Sequence, residues 1–158
     1  MAKTSYFSDQ FRSLFSIIGY LGVVPFYLLL LMNWFESNLY LYDPLWLFRF
    51  YSLAILAFMC GSLWTMAFSV KPENETFEFK PAGLVFGAVA IVISGVALMM
   101  LKPSVGVFVA ALLYLVLWQV ELKTNLSRLY PQWYWVLRTK LTMMVAASHI
   151  LLWMTLPQ

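Results

Sequence analysis

The sequence predicts an all-α integral membrane protein, built as a single bundle of five transmembrane helices. Two observations lead to this prediction. Of the 158 residues, 63% are hydrophobic and only 11% are charged, whereas a soluble domain keeps about a quarter of its residues charged. The apolar residues also fall into blocks close to the roughly 20 residues that a helix needs to cross the hydrocarbon core of a bilayer.

We predict one domain, residues 1–158, with the spans at about residues 14–34, 48–69, 82–101, 104–121 and 137–156. The last two blocks are the shortest. Ser104 to Gln119 is long enough only if it extends toward Leu122, and the last block only if its helix begins near Val136, so four spans remain the alternative. Runs such as Phe26 to Leu31 do not alternate as barrel strands do, so helices are favoured.

The basic residues predict the orientation. One side would hold eight of them: Lys3, Arg12, Lys71, Lys80, Lys123, Arg128, Arg138 and Lys140. The other side would hold only Arg49 and Lys102. Basic residues accumulate on the cytoplasmic side of a membrane, so we expect a cytoplasmic N-terminus and a C-terminus outside. We interpret the net charge of +3 as this orientation signal and predict no nucleic-acid partner.

The N-terminal segment Met1 to Arg12 is polar and lacks the features of a removed signal peptide or of a transit segment. We therefore expect a multi-pass protein of the bacterial inner membrane, with the mitochondrial inner membrane as the alternative. Helix one contains Pro25, which removes a backbone hydrogen bond to Leu21. We expect a kink there, with the freed carbonyl bonded by a neighbouring helix or a water.

Small residues follow one face of the third helix: Gly83, Gly87, Ala90, Ser94 and Ala97. Such spacing lets two helix backbones approach closely. Gly106 and Ala110 repeat the pattern on the fourth helix, so we expect helices three and four to form a tight antiparallel hairpin. The alternative is a homodimer, or a contact with another membrane subunit, through Gly83, Gly87 and Ser94.

His149 is the strongest candidate for chemistry, since polar groups inside a membrane are costly and often functional. It shares one face of the last helix with Arg138 and Thr142. Together with Pro25 and Trp64, these residues are the candidates for facing a ligand, a quinone or a proton site. The alternative is a neutral histidine that donates to one helix and accepts from another.

The other polar residues suggest pairing. Tyr114, Trp118 and Glu121 share a face of helix four, and Glu121 can pair with Arg128 or Arg138. Arg49 can pair with Asp43 or with a lipid phosphate. Cys60 is the single cysteine and His149 the single histidine, so we predict no metal site and no cofactor. We also predict no catalytic residue, because no nucleophile or nucleotide-binding motif occurs.

Three segments together resemble one family. They are Ile18-Gly19-Tyr20-Leu21-Gly22-Val23-Val24-Pro25-Phe26, the stretch from Tyr51-Ser52 to Gly61-Ser62-Leu63-Trp64, and Trp133-Tyr134-Trp135-Val136-Leu137-Arg138-Thr139-Lys140-Leu141-Thr142. The chain is similar over nearly its whole length to the family "domain of unknown function 3429", whose eukaryotic members include transmembrane protein 69. The resemblance implies a small five-helix inner-membrane protein and brings no reaction with it.

The sequence favours a non-enzymatic accessory or assembly partner of a larger membrane complex, embedded in the lipid bilayer. The alternative is a binder or carrier of a small hydrophobic or porphyrin-like ligand, held between Pro25 and His149. A membrane enzyme acting on lipid or quinone is a third possibility, for which the sequence offers only His149.

Overall fold

Five α-helices make up the described part of the chain. The computed structural model describes residues 2–35, 43–69, 81–124 and 130–157. The helices are α1 (Ala2–Trp34), α2 (Pro44–Ser69), α3 (Pro81–Leu98), α4 (Pro103–Lys123) and α5 (Gln132–Thr155). No strand occurs in these residue ranges. The prediction of an all-helical protein with five helices is therefore confirmed.

Prolines set the start of four helices. Pro44, Pro81 and Pro103 are the first residues of α2, α3 and α4, and Pro131 directly precedes α5. A proline at the first position of a helix costs no hydrogen bond, because the amide it lacks would have had no partner within the helix. At α2 the carboxylate of Asp43 also accepts from the backbone amide of Leu45 at 3.0 Å.

Three of the helices are long and apolar enough to cross a membrane: Gln10–Trp34, Pro44–Thr65 and Pro103–Lys123. The apolar stretch of α3, Ala82–Leu98, is shorter. Their surfaces carry large apolar side chains, among them Phe58 at 80% exposed and Phe86 at 75%. A water-soluble protein would not leave so many large apolar side chains exposed, so the helices indicate a membrane protein.

The helices form a ring in chain order. Each packs against the next, and α5 returns to α1 and closes the ring. α2 also contacts α4 across the middle. The side chains that fill the centre are mostly apolar, with Phe26, Phe48, Leu56, Leu117 and Leu152 almost fully buried. The centre therefore lies where α1, α2, α4 and α5 face one another.

α1 runs through Pro25 as one helix. Near this proline, the hydroxyl of Tyr51 on α2 donates to the carbonyl of Gly22 at 2.8 Å. The carbonyl that Tyr51 bonds is therefore that of Gly22. We had expected a neighbouring helix to bond the carbonyl of Leu21. A second tyrosine, Tyr27, donates to the carbonyl of Met144 at 3.0 Å and ties α1 to α5.

The small-residue face of α3 does not pack against α4, and that part of the sequence prediction is wrong. Its members Gly83, Gly87, Ala90, Ser94 and Ala97 are all exposed. α3 instead buries the opposite face, with Leu84, Ala88 and Ile91. Larger apolar side chains bury more area than glycine does, which explains why this face turns inward. α3 and α4 do approach closely at Gly106, where an added Cβ would lie 2.9 Å from the carbonyl oxygen of Leu98.

Candidate functional site

Polar side chains from α2, α4 and α5 meet at two levels inside the bundle. The first level is centred on His149, which is fully buried. Its Nε2 atom lies 2.7 Å from Oγ of Ser52 on α2. The hydroxyl of Tyr114 on α4 donates to the backbone carbonyl of Ser52 at 2.8 Å. Ser52 therefore links the three helices at one point.

The hydrogen bonds define the state of His149. Nδ1 lies 2.8 Å from the carbonyl oxygen of Val145, which can only accept, so Nδ1 carries the proton. A charged imidazole would be costly in this fully buried, mostly apolar site, so the ring is neutral, Nε2 is the acceptor and the Ser52 hydroxyl donates to it. This is a neutral imidazole with both nitrogens hydrogen-bonded within the chain. Its Nε2 atom accepts a hydrogen bond from α2, and its Nδ1–H group donates a hydrogen bond within α5.

Aromatic rings enclose the imidazole. The ring centre of Phe48 lies 4.8 Å from that of His149, and those of Tyr114 and Phe26 lie at 5.4 and 5.5 Å. Phe48 meets the imidazole edge-on. These contacts come from α1, α2 and α4, so the histidine is held from three sides.

The second level is a buried ion pair between α4 and α5. Nε of Arg138 donates to Oε2 of Glu121 at 2.6 Å, and Nη2 donates to Oε1. Nη2 also donates to Oγ of Ser62 on α2 at 3.0 Å. Arg138 is 6% exposed and Glu121 is 1% exposed. The sequence offered Arg128 or Arg138 as the partner of Glu121, and Arg138 fills that role.

Two buried hydroxyls near this pair have no hydrogen-bond partner among the described residues: those of Tyr130 and Thr142. Tyr130 precedes α5, and its ring centre lies 6.0 Å from the guanidinium carbon of Arg138. Burial, and then the charge of Glu121, raises the pKa of Tyr130 to about 12. Thr142 is fully buried and lies on α5 between Arg138 and His149.

The five candidate ligand-facing residues are not brought together. His149, Thr142 and Arg138 are buried along one face of α5, but His149 and Arg138 are about 16 Å apart along the helix axis. Pro25 is half-buried in α1. Trp64 is 43% exposed on α2 and does not face the interior. Trp118, also named from the sequence, donates to Oγ1 of Thr139 at 3.2 Å.

Sequence reasoning missed the partner of His149. Ser52 is one small polar residue in a helix, and a lone serine does not by itself indicate burial. A turn-by-turn projection of α2 would have placed Ser52 on the face of Phe48 and Leu56, which are both buried. The position of Ser52 on this apolar face was the signal that could have indicated its burial.

A small cavity adjoins His149 between α2, α3 and α4. Its volume is about 20 Å³, and its polar lining consists of Arg49, Ser52 and His149. Nη2 of Arg49 donates to the carbonyls of Leu98 and Leu101 at the end of α3. Arg49 therefore binds backbone carbonyls, and not the Asp43 that we had named as one possible partner.

Among the described residues, no group of three or more His, Cys, Asp or Glu side chains could hold a metal ion. The family model described as "Protein of unknown function (DUF3429)" matches residues 12–154. The chain belongs to the DUF3429 family. The match confirms the resemblance seen in the sequence and extends from within α1 to within α5. No curated protein and no solved structure matches the chain.

Proposed function

We propose that this member of the DUF3429 family is a five-span protein of the bacterial inner membrane that acts as a non-enzymatic accessory or assembly partner of a larger membrane complex. The N-terminus would lie in the cytoplasm and the C-terminus outside. The observation that carries the proposal is the exposed small-residue face of α3. Small residues favour close helix contacts inside membranes, and no other described helix covers this face.

The interior of the bundle supports this proposal over the ligand carrier. Both nitrogens of His149 are bonded within the chain. The adjoining cavity of about 20 Å³ has room for about one water molecule, and pockets for drug-sized ligands measure roughly 300–1,000 Å³. The buried polar residues then serve to hold the helices in register.

The closed ring supports the five-span topology. α3 and α5 each lie between neighbours in the ring, so in the proposed topology they would cross together with the three long apolar helices. α4 has 21 residues and is about 31 Å long, close to the thickness of the hydrocarbon core. Lys102 and Lys123 lie at its two ends and are both exposed.

Cysteine labelling tests the orientation. We would replace Cys60 by Ala and introduce either Lys102→Cys or Lys123→Cys. An impermeant maleimide should label the Lys102→Cys variant in intact cells, after the outer membrane is opened. It should label the Lys123→Cys variant only after the inner membrane is also permeabilised. Labelling of both from the same side would reject the five-span topology.

Two glycine substitutions test the partner. Gly87 and Gly61 are both exposed, and a Cβ added at either meets no atom within 4 Å. Gly87→Leu should therefore fold and block the α3 face, while Gly61→Leu is the matched control on α2. After mild detergent extraction, wild type and Gly61→Leu should migrate as a larger complex in native electrophoresis, and Gly87→Leu should not.

The nature of the partner decides between two forms of the proposal. Co-expression of two differently tagged copies would show whether a second copy, through Gly83, Gly87 and Ser94, occupies the face. Co-purification of another membrane protein, lost in Gly87→Leu, would support the assembly role. A monomeric particle with nothing co-purifying, in wild type and both variants, would overturn the proposal.

A further inference from the structure

We propose that the cavity between α2, α3 and α4 is a binding site for a single water molecule, which connects Ser52 and His149 to the outer end of the bundle. The polar residues that line it are Arg49, Ser52 and His149. The remaining lining is mostly apolar, from Leu53, Leu56 and Val107 among others. Polar groups are thus gathered in one cavity within an otherwise apolar core.

The size of the cavity fits this ligand. A cavity needs at least roughly 10–15 Å³ to hold a water, and the water needs two to four polar partners. The cavity measures about 20 Å³. Arg49 and Ser52 are three residues apart on α2, so both side chains lie on one face, separated by one helical turn. A water between them can accept from Arg49 and donate to Ser52.

The hydrogen bonds already made leave room for this water. The Ser52 hydroxyl donates to Nε2 of His149 and keeps acceptor capacity for one more donor. Arg49 uses Nη2 for the carbonyls of Leu98 and Leu101, and a guanidinium has five N–H donors. Water is both donor and acceptor, so it complements the two groups together. An apolar molecule would leave the acceptor capacity of Ser52 and the other N–H donors of Arg49 unused.

Two glycines keep this space open. A Cβ at Gly95 would lie 3.0 Å from Cδ1 of Leu53 and 3.2 Å from Cδ2 of Leu56. A Cβ at Gly106 would lie 3.0 Å from Nη2 of Arg49. All these residues line the cavity. A side chain at either glycine would therefore displace lining atoms and take up the volume of the water.

The route to the cavity runs past Arg49. Arg49 is half-buried near the start of α2, whereas Ser52 and His149 are buried. The guanidinium is held by carbonyls at the end of α3, so it covers the cavity from the outer end. In the topology proposed above, this end faces away from the cytoplasm. The water would then reach His149 from the outer side, a direction that rests on that topology.

The single histidine makes the site testable. We would label histidine with ¹³C and ¹⁵N, place the protein in bilayers of lipids with deuterated acyl chains, and record magnetisation transfer from water to the His149 ring protons. Wild type should show a water cross-peak. Gly95→Ala should reduce it at least threefold, because the leucine methyls are pushed into the cavity. Gly87→Ala, on the exposed face of the same helix, should leave it unchanged.

A second variant fills the cavity from another helix, so that the test does not depend on the folding of Gly95→Ala alone. Ala110→Leu adds volume from α4, where Ala110 also lines the cavity, and should reduce the cross-peak in the same way. Retained helical circular dichroism and melting temperature show that a variant is folded. Absence of the cross-peak in wild type, or equal cross-peaks in Gly95→Ala, Ala110→Leu and Gly87→Ala, would overturn the water site. The labelling of Lys102→Cys and Lys123→Cys tests the topology separately.

Discussion

Oγ of Ser52 lies 2.7 Å from Nε2 of His149, and this contact joins α2 to α5 across the centre of the bundle. Both residues are buried. A hydrogen bond in an apolar interior is directional, unlike the apolar contacts around it. Sliding α2 along α5 by one turn would break it and leave two polar groups unpaired. The hydrogen bond between Ser52 and His149 therefore favours one register of α2 against α5 over the registers shifted by one turn.

Ser52→Ala should lower the free energy of unfolding by about 1–3 kcal/mol, because Nε2 of His149 loses its donor while it stays buried. Ser94→Ala is the matched control, since Ser94 is exposed on α3. Thermal unfolding of both variants in a mild detergent measures the difference. Equal melting temperatures for the two variants would show that the pair contributes nothing to stability.

Glu121→Gln should destabilise the protein by about 3–5 kcal/mol, because it leaves the positive charge of Arg138 buried without a counter-charge. The double variant Glu121→Leu with Arg138→Met removes both charges and should be markedly more stable than Glu121→Gln. Chemical or thermal unfolding of the three proteins in one detergent makes the comparison. If the double variant is the least stable of the three, the burial of an unpaired charge is not the cause.

The sequence predicted the helices well, because helix formation in a membrane depends on local apolar runs and prolines. It also predicted a pairing of Glu121 with Arg138 or Arg128, because a charge near the core has few partners. It did not predict that Ser52 bonds His149. Such contacts depend on how helices are rotated and paired in three dimensions, which the periodicity of a single helix does not determine. The inward face of α3 was missed for the same reason.

Gly19 and Gly22 on α1 should respond differently to alanine. Alanine is favoured over glycine in a helix by roughly 0.5–1 kcal/mol, and a Cβ at Gly22 meets no atom within 4 Å. A Cβ at Gly19 would lie 2.8 Å from Cδ1 of Leu141 on α5. Gly22→Ala should therefore raise the melting temperature, and Gly19→Ala should raise it less or lower it. A larger gain for Gly19→Ala would show that α1 and α5 do not pack closely at that point.

Tyr130→Phe should make the protein less sensitive to alkaline pH. Burial raises the pKa of Tyr130 to about 12, against about 10 for a tyrosine in an unfolded chain. The folded protein then holds this proton more tightly than the unfolded chain does. The resulting stability is fully present below about pH 10 and is lost as the pH rises through about 12.

The Tyr130→Phe variant keeps the ring that lies 6.0 Å from the guanidinium carbon of Arg138 and loses only a hydroxyl without a partner among the described residues. At neutral pH its melting temperature should thus equal or exceed that of wild type, and melting temperatures from pH 8 to 12 should fall less steeply. Parallel curves for the two proteins would show that Tyr130 does not titrate with folding.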